Sequence, residues 1–478
     1  MLALVARFQA LLPGYSIDDY QFVTQGMPPW FDAMSASNGR ALAYVLYAGL
    51  ARLGAAPPRA SPLFILLLTV VLVGIGIGVC RLWGISGFGE VLIATCLIAL
   101  HPYQTEIFTF RAACLIATVS LALAFAAILN CNRSKRAWWA SLAALVCAMS
   151  IYQAVLNYIA MALLFSIAFQ LSALTGRRPG WLGRLRTQLT LIVLAIALHV
   201  AFAAIVSRIA GVPLGQRTAL LRPDEIGTRI SGFVQVAVRL LFLDESVFPF
   251  ASKVLLWIVF LTGGAGLLID AARSGRAAAW RRVLVLVLTG SAGLPLCFGI
   301  ILVLHEWWPV PRAIAHASLY CAGMIILVYM SAQRRLRAVI GIGLAIFLLS
   351  FIGIDEEILA DQLRVNVRDF ATANRMVMRI EALPGFRKIT TVALSGTFPL
   401  YRSPILTMQG DMNIPALDAA WAKVGLLNEI SGYRFGDAPE TAQRQAEALC
   451  KGMPKWPEPE SVATLGDSVA VVCLGDHY

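Results

Sequence analysis

Long apolar runs alternate with short polar segments along most of the chain. A helix needs about 20 residues to cross the hydrocarbon core of a bilayer, and many of the runs approach that length. The predicted membrane helices span residues 62–79, 88–100, 112–129, 138–151, 155–174, 190–206, 254–268, 283–304, 319–330 and 339–354. Together with a partial run at residues 1–12, they predict an all-α polytopic membrane protein with about 11 transmembrane helices.

The first run, residues 1–12, is apolar but too short to span, and Arg7 interrupts it. A basic n-region and a small-residue cleavage site are not visible, so we do not interpret the run as a cleaved signal peptide. It is either half of a span or a span whose beginning the sequence lacks. We favour the second interpretation.

A second short apolar run, residues 41–53, follows a segment rich in proline, glycine and aromatic residues, and Arg52 lies near its end. We expect it to form a helix in the plane of the membrane interface, with its apolar face toward the lipid. A short transmembrane helix is the alternative, but counting it as a further span would invert every later loop.

Basic residues cluster between the runs, as they do in cytoplasmic loops. The clusters occupy residues 133–136, 177–186, 273–282 and 334–337. If Met1 is cytoplasmic, alternation of the helices places all of these clusters inside, in agreement with the positive-inside rule. The outer loops predicted by the same alternation are residues 13–61, 101–111, 207–250 and 305–316.

The long apolar runs end at residue 354. We therefore expect a transmembrane domain of residues 1–354 and a small C-terminal extracytoplasmic α/β domain of residues 355–478. Within the second domain, residues 356–383 have helical periodicity, and residues 390–394 and 468–474 are typical of short buried strands.

Cysteine positions add one expectation about this C-terminal region. Cys450 and Cys473 are the only cysteines predicted on the outer side, where the environment is oxidising. We expect them to form a disulfide. Two buried free thiols are the alternative.

Composition supports the membrane assignment. Of 478 residues, 59% are hydrophobic and 14% are charged, with a mean hydropathy of +0.74, whereas roughly a quarter of residues are charged in soluble domains. A net charge of +12 can indicate binding to nucleic acid. Here the basic residues lie in the loop clusters, so we expect no nucleic-acid partner. The nine cysteines show no CxxC spacing. We therefore expect no cofactor, and we leave divalent-metal dependence open.

The predicted outer loops carry acids, arginines and aromatic residues on a chain that otherwise avoids polar groups. Asp18 and Asp19 are adjacent carboxylates in the first of these loops. An ionised carboxylate can take the proton from a sugar hydroxyl as it attacks, and guanidinium groups can hold a phosphate bidentately as it leaves. We expect an oxocarbenium-like transition state, as in glycoside chemistry. The candidate substrate-binding residues are Trp30, Arg40, His101, Tyr103, Glu106, Arg111, Tyr152, Gln153 and Arg312.

Many of these residues also have a structural interpretation. Adjacent acids are usually part of a solvated loop, and Tyr152 lies where interfacial aromatic belts form. Arg111 and Arg312 begin predicted helices, where an arginine can extend to the lipid headgroups. His101 is more readily explained as an interface residue than as a metal ligand.

Taken in order, these blocks resemble the serotype-converting O-antigen glucosyltransferases, the Gtr-type glucosyl transferase family within the GT-C class of membrane glycosyltransferases. The resemblance extends over most of the membrane region, up to about residue 354. The blocks that carry it are Asp18-Asp19, Trp30 and Asn38-Gly39-Arg40; His101-Pro102-Tyr103, Glu106, Phe110 and Arg111; Tyr152-Gln153; and Pro311-Arg312.

The resemblance implies a GT-C-like membrane glycosyltransferase that moves a sugar, often glucose, from a polyprenyl-phosphate donor to a lipid-linked or cell-surface glycan such as O-antigen. It also implies that an aspartate of the first outer loop is the base, and of Asp18 and Asp19 we favour Asp18. The expected location is the bacterial inner membrane, with the active site and the C-terminus periplasmic. The expected partners are membrane lipid, the sugar donor, the glycan acceptor, a separate flippase and a donor synthase.

Two departures from the family pattern concern the second outer loop. It begins with His101-Pro102 where Asn-Pro is expected, and Arg111 is followed by two alanines where an acid would be usual. The identity of the sugar therefore stays open.

A transporter or flippase for lipid-linked glycans is the alternative function. Transporters tend to show internal repeats, broken helices and ionisable residues at mid-membrane. Here the predicted helices are nearly free of charge and the polar groups gather at one surface, which favours chemistry at that surface.

Overall fold

The structure is a computed structural model, and it describes residues 1–25, 31–176, 179–215, 219–241, 247–397 and 413–475. The α-helices are Leu2–Val5, Asp19–Gln25, Phe31–Ser37, Ala41–Arg52, Ser61–Trp83, Phe88–Ala99, Pro102–Thr109, Arg111–Asn130, Lys135–Ile151, Val155–Ser172, Trp181–Ala210, Ile226–Leu241, Phe250–Ser274, Ala277–Leu296, Ala317–Ser331, Arg334–Glu381, Lys423–Ser431 and Glu440–Cys450. The strands are Thr391–Ser395, Gly436–Asp437, Val462–Leu465 and Val469–Cys473.

The predicted membrane runs fold into helices. Seven described helices are long and apolar enough to cross a membrane, or eight if the bent pair Phe88–Ala99 and Pro102–Thr109 is one span. This is fewer than the expected total of about 11. Part of the difference comes from runs that form shorter helices, Lys135–Ile151 with 17 residues and Ala317–Ser331 with 15. The exact number of spans therefore stays a prediction.

The first apolar run is folded into two short pieces. Leu2–Val5 is an α-helix of 4 residues and Phe8–Leu11 is a 3-10 helix. Between them, Arg7 is almost completely buried: its guanidinium lies 3.3 Å from the carboxylate of Asp355 and donates to the carbonyl of Ala99 at 2.5 Å. The charge that interrupts the run is thus held inside the protein by a second charge.

The helix Ala41–Arg52 has both of its flanks at the same end of the molecule. Before it, the guanidinium of Arg40 donates from Nε to the side chain of Gln153 at 2.8 Å. Beyond it, Arg59 lies 3.6 Å from Glu429 in the C-terminal region. Whether the helix lies in the membrane interface or crosses the membrane stays a prediction.

The predicted outer loops contact one another. The backbone N–H of Gly215 donates to the carbonyl of Ser37 at 2.9 Å, which joins the third loop to the first. Arg229 of the third loop donates to the carbonyl of His305, the first residue of the fourth, at 2.9 Å, and Leu220 forms an isolated β-bridge with the adjoining Leu304. The first, third and fourth predicted loops therefore meet at one end of the helical bundle.

The predicted C-terminal α/β region is confirmed. Its four-stranded sheet has the order Gly436–Asp437, Thr391–Ser395, Val469–Cys473 and Val462–Leu465, parallel at the first two pairings and antiparallel at the last. The helix Arg334–Glu381 runs without a break from the membrane region into this part, because its 48 residues have no internal proline. The proposed domain boundary after residue 354 falls inside that helix and stays a prediction.

The C-terminal region packs directly on the first predicted outer loop. Ile17 and Tyr20 share a buried apolar cluster with Val392 and Leu394 of the sheet. The expected disulfide between Cys450 and Cys473 is also present; it joins the helix Glu440–Cys450 to the strand Val469–Cys473.

Candidate active site

Asp18 and Asp19 have opposite surroundings. Asp18 is exposed, and its carboxylate accepts a hydrogen bond from the indole N–H of Trp421 at 3.0 Å. Asp19 begins the helix Asp19–Gln25 and is completely buried. Of the two adjacent carboxylates, Asp18 is therefore the one that a substrate can reach from outside.

The buried carboxylate of Asp19 closes the start of a membrane helix. It accepts hydrogen bonds from the backbone N–H of Arg111 at 3.0 Å and of Ala112 at 2.8 Å. These are among the first N–H groups of the helix Arg111–Asn130, which have no partner inside the helix. The backbone N–H and the hydroxyl of Ser16 also donate to this carboxylate, at 2.8 and 2.9 Å.

The pKa of Asp19 reflects two opposed effects. Burial raises the pKa of Asp19 to about 6, while the hydrogen bonds from Ser16, Ala112 and Arg111 lower it. The group is mostly ionised at neutral pH, and its oxygens are already engaged by donors of the protein. It is suited to holding the loop in place.

Arg111 is buried beside this carboxylate. Only 2% of the residue is exposed, and its guanidinium donates to the carbonyl of Leu12 at 3.2 Å. The sequence suggested a phosphate ligand because a guanidinium in a predicted outer loop can hold a phosphate bidentately. Here the side chain lies under the first loop, so its expected role in substrate binding stays a prediction.

Four predicted site residues from three segments contact one another and form a group that we call the rim: Arg40, Tyr152, Gln153 and Arg312. The side chain of Gln153 accepts from Arg40 and donates to the carbonyl of Asn38 at 2.5 Å. The guanidinium of Arg40 lies 5.3 Å from the centre of the Tyr152 ring, and the Tyr152 hydroxyl donates to the carbonyl of Arg312 at 3.5 Å. All four residues are half-buried, so part of each is accessible to solvent.

A buried carboxylate holds Arg312 in the rim. Glu106, from the helix Pro102–Thr109, is completely buried, and its Oε1 lies 2.5 Å from the Arg312 guanidinium. Its second oxygen accepts the backbone N–H of Arg312. The guanidinium also lies over the rings of Phe110 and Trp308, at 4.2 and 4.7 Å. The cation is thus held on several sides.

Tyr47 of the first predicted loop lies next to the buried aspartate. It donates its hydroxyl to the carbonyl of Ala112 at 2.8 Å, and the backbone N–H of Ala112 donates to Asp19. Burial raises the pKa of Tyr47; the charges of Asp19 and Asp18 add to that effect, and the charge of Arg40 opposes it. The hydrogen bonds from Arg111 and Ala112 to Asp19 join the first predicted loop to the end of the second.

Two predicted site residues lie away from the rim, and a third is outside the described residues. His101 is 5% exposed and Tyr103 is 3% exposed, and their rings pack with those of Phe248 and Phe351. They form part of the core, so their expected contact with substrate stays a prediction. Trp30 falls in residues 26–30, outside the part of the chain that the structure describes.

Sequence reasoning missed two sets of residues. Trp421 contacts Asp18 from a region that we expected to be a separate domain. Asp355, the first residue of the expected C-terminal domain, pairs with Arg7 and accepts from the hydroxyl of Thr105 at 2.6 Å. The one available signal was Arg7 itself, because a charge inside an apolar run needs a partner.

The site contains an exposed carboxylate, Asp18, in contact with an indole, and a separate rim of two arginines and a tyrosine ring. Among the residues that the structure describes, His, Cys, Asp and Glu side chains form no group of three or more that could hold a metal ion. A carboxylate can accept a proton, a guanidinium can bind an anion, and an aromatic face can contact a sugar ring.

The family model described as glucosyl transferase GtrII matches residues 9–330. This segment contains the aspartate pair and the rim, and ends before the C-terminal region. No curated protein and no solved structure matches the chain.

Proposed function

The chain belongs to the glucosyl transferase GtrII family, and on this premise we propose that it transfers glucose from a polyprenyl-phosphate donor to a lipid-linked or cell-surface glycan such as O-antigen. The observation that carries the proposal is the separation of the aspartate pair. Asp18 is exposed, while Asp19 is buried and bonded to the backbone, and the rim holds two half-buried arginines, Arg40 and Arg312.

In the proposed reaction, the carboxylate of Asp18 takes the proton from an acceptor hydroxyl. The oxygen of that hydroxyl forms a new bond to the anomeric carbon of the donor sugar. The bond between this carbon and the phosphate oxygen breaks, and its electron pair leaves with the polyprenyl phosphate. Charge builds up on the sugar ring and on the leaving phosphate in the transition state.

Arg40 and Arg312 are the proposed ligands of the phosphate. A guanidinium presents donors in a planar fork that matches the oxygens of a phosphate. Both side chains are half-buried, and Gln153 and Glu106 orient them. Preorganised cations of this kind stabilise charge as it develops, at no reorganisation cost during the reaction.

We place the site on the periplasmic face of a bacterial inner membrane, in the GT-C class. The clustering of basic residues in the opposite loops supports this orientation. A donor on that face would require a separate synthase and a flippase. The family match supports transfer chemistry and gives no support to the transporter alternative.

The test supplies purified protein in detergent with polyprenyl-phosphate glucose. The acceptor is surface polysaccharide isolated from a strain that lacks the gene. Glucose transfer is expected, and Asp18→Asn should lower kcat by about 10²- to 10⁴-fold, since general-base help is worth that much. The matched control is Asp32→Asn, which changes another exposed acid of the first loop and should transfer normally.

Two results would count against the proposal. One is the absence of transfer by the folded wild-type protein with this donor and acceptor. The other is near-normal transfer by folded Asp18→Asn, which would make Asp18 an ordinary loop residue.

A further inference from the structure

The C-terminal region, which lies beyond the family-matched residues 9–330, contributes a residue to the site. Trp421 precedes the helix Lys423–Ser431, and its indole N–H donates to Asp18 at 3.0 Å. The same residue is 50% exposed. One polar edge of the ring is therefore committed to the carboxylate, while part of the aromatic surface is open to the outside.

Close packing holds Trp421 at this position. The helix Lys423–Ser431 lies against the helix that begins at Asp19, and a Cβ built on Gly425 would come within 3.1 Å of the backbone of Tyr20. Lys423 is 5% exposed and donates to the carbonyl of Gly396 at 2.6 Å. Two independent contacts thus anchor the segment that carries the indole.

We propose that Trp421 has two roles in the reaction: its N–H positions the carboxylate of Asp18, and its exposed ring face contacts the acceptor sugar. The proposal rests on the function proposed above. A donor on Oδ1 of Asp18 restricts rotation of the carboxylate and so fixes the direction in which it meets the acceptor hydroxyl. An indole combines a large apolar face with a polar edge, and this suits a pyranose ring with apolar faces and polar edges.

The acceptor is the ligand that this placement favours. The proposed phosphate ligands Arg40 and Arg312 belong to the membrane domain, whereas Trp421 reaches Asp18 from the C-terminal region. A base must lie within hydrogen-bond distance of the hydroxyl that it deprotonates. An aromatic face beside that base is therefore next to the attacking sugar.

Two substitutions separate the two roles. Trp421→Phe keeps an aromatic face and removes the N–H, while Trp421→Ala removes both. Kinetics use polyprenyl-phosphate glucose and the polysaccharide isolated from the deletion strain. Trp421→Phe should lower kcat about 10-fold or more, as expected for one lost bond to a charged group, with acceptor KM within about twofold. Trp421→Ala should in addition raise acceptor KM several-fold, about what one lost aromatic contact is worth.

The control variant is Trp280→Phe. Trp280 is 51% exposed, nearly the same as Trp421, but lies in the membrane helix Ala277–Leu296 next to a basic cluster. It should leave both kinetic constants unchanged. Thermal unfolding and protection of Cys450 and Cys473 from maleimide confirm that the C-terminal region of each variant is folded.

Two further measurements make the outcome decisive. In an Asp18→Asn background, Trp421→Phe should cause no additional loss of kcat, because the N–H acts through Asp18. Calorimetric binding of the same polysaccharide without donor should weaken in Trp421→Ala and persist in Trp421→Phe; it requires no catalysis.

The possible failures are distinguishable. Inactive Asp18→Asn together with wild-type constants and binding in both Trp421 variants would overturn this inference and leave the proposed function standing. Fully active Asp18→Asn would overturn the base assignment and the positioning role with it. Equal effects of Phe and Ala on every constant would overturn the acceptor contact.

Discussion

Two arginines lie near aromatic rings, Arg40 in the rim and Arg7 in the interior, and they differ in burial and in the partner of the guanidinium. The Arg40 guanidinium lies 5.3 Å from the ring of Tyr152, is half-buried and has a neutral amide as a hydrogen-bond partner. The Arg7 guanidinium lies 4.5 Å from the ring of Phe108 and pairs with a completely buried carboxylate.

The aspartates divide in the same way. Asp18 is exposed, whereas Asp19 lies with Arg111 in the interior, surrounded by backbone donors. We therefore expect substitutions in the interior to lower mainly the free energy of unfolding, and substitutions in the rim to change mainly the kinetic constants. Three substitutions and one pH profile can contradict or refine this division.

The largest effect is expected from Arg7→Met. The substitution leaves the carboxylate of Asp355 buried without its counter-charge, which typically costs about 3–5 kcal/mol. The free energy of unfolding in mixed micelles measures the loss, and the exposed Arg133→Met is the control. Adding Asp355→Leu should recover part of the stability, because it removes the uncompensated charge. If Arg7→Met were as stable as the control, the interior pair would carry no structural role.

Asp19→Asn is expected to have a smaller effect on stability. The amide replaces one oxygen with an NH₂ group that faces N–H donors of Ser16, Arg111 or Ala112, which should cost about 1–3 kcal/mol. Transfer per folded molecule should stay within a few-fold of wild type. Asp32→Asn in the same loop is the control. A loss of kcat as large as that of Asp18→Asn, at unchanged stability, would exchange the roles of the two aspartates.

The pH dependence of the same pair gives a second measurement. The pKa of Asp19 is raised from 3.8 to about 6 by burial. A raised pKa stabilises the fold below the unfolded value, and that contribution is lost as the pH rises through the folded value. The stability of wild type relative to Asp19→Asn should therefore fall between about pH 4 and pH 7. A rise over that range would mean that hydrogen bonds outweigh burial.

The smallest expected effect is that of Arg40→Lys. Lysine keeps the positive charge but loses the planar fork and the bond from Nε to Gln153. The KM for polyprenyl-phosphate glucose should rise about 10-fold, equivalent to about 1.4 kcal/mol, with stability and acceptor KM unchanged. Arg59→Lys, whose guanidinium faces Glu429, is the control. An unchanged donor KM would remove Arg40 from the phosphate site.

Sequence alone was sufficient for the membrane helices and for the two clearest strands of the C-terminal region. Apolar runs of sufficient length have few other structures available to them, and 390–394 and 468–474 correspond closely to Thr391–Ser395 and Val469–Cys473. The number of spans was harder to predict, because the 15 residues of Ala317–Ser331 are too few to decide by length.

The site was predicted only in part. Arg40, Tyr152, Gln153 and Arg312 do come together, because they lie at ends of helices that return to the same side. Arg111 looked similar in sequence but is buried, since an arginine at the start of a helix can turn inward or outward according to the packing around it. Trp421 could not have been found, because no local pattern records a contact between regions so distant along the chain.

The unbroken helix Arg334–Glu381 has a consequence for how this chain tolerates change. At 1.5 Å per residue its 48 residues measure about 72 Å, more than twice the roughly 30 Å of a bilayer core. Each inserted or deleted residue beyond the membrane would turn everything that follows by about 100°. The number of residues in this helix therefore sets the rotation at which the C-terminal region, with Trp421, meets Asp18. Lineages of this protein should accept length changes in surface loops far more readily than in residues 355–381.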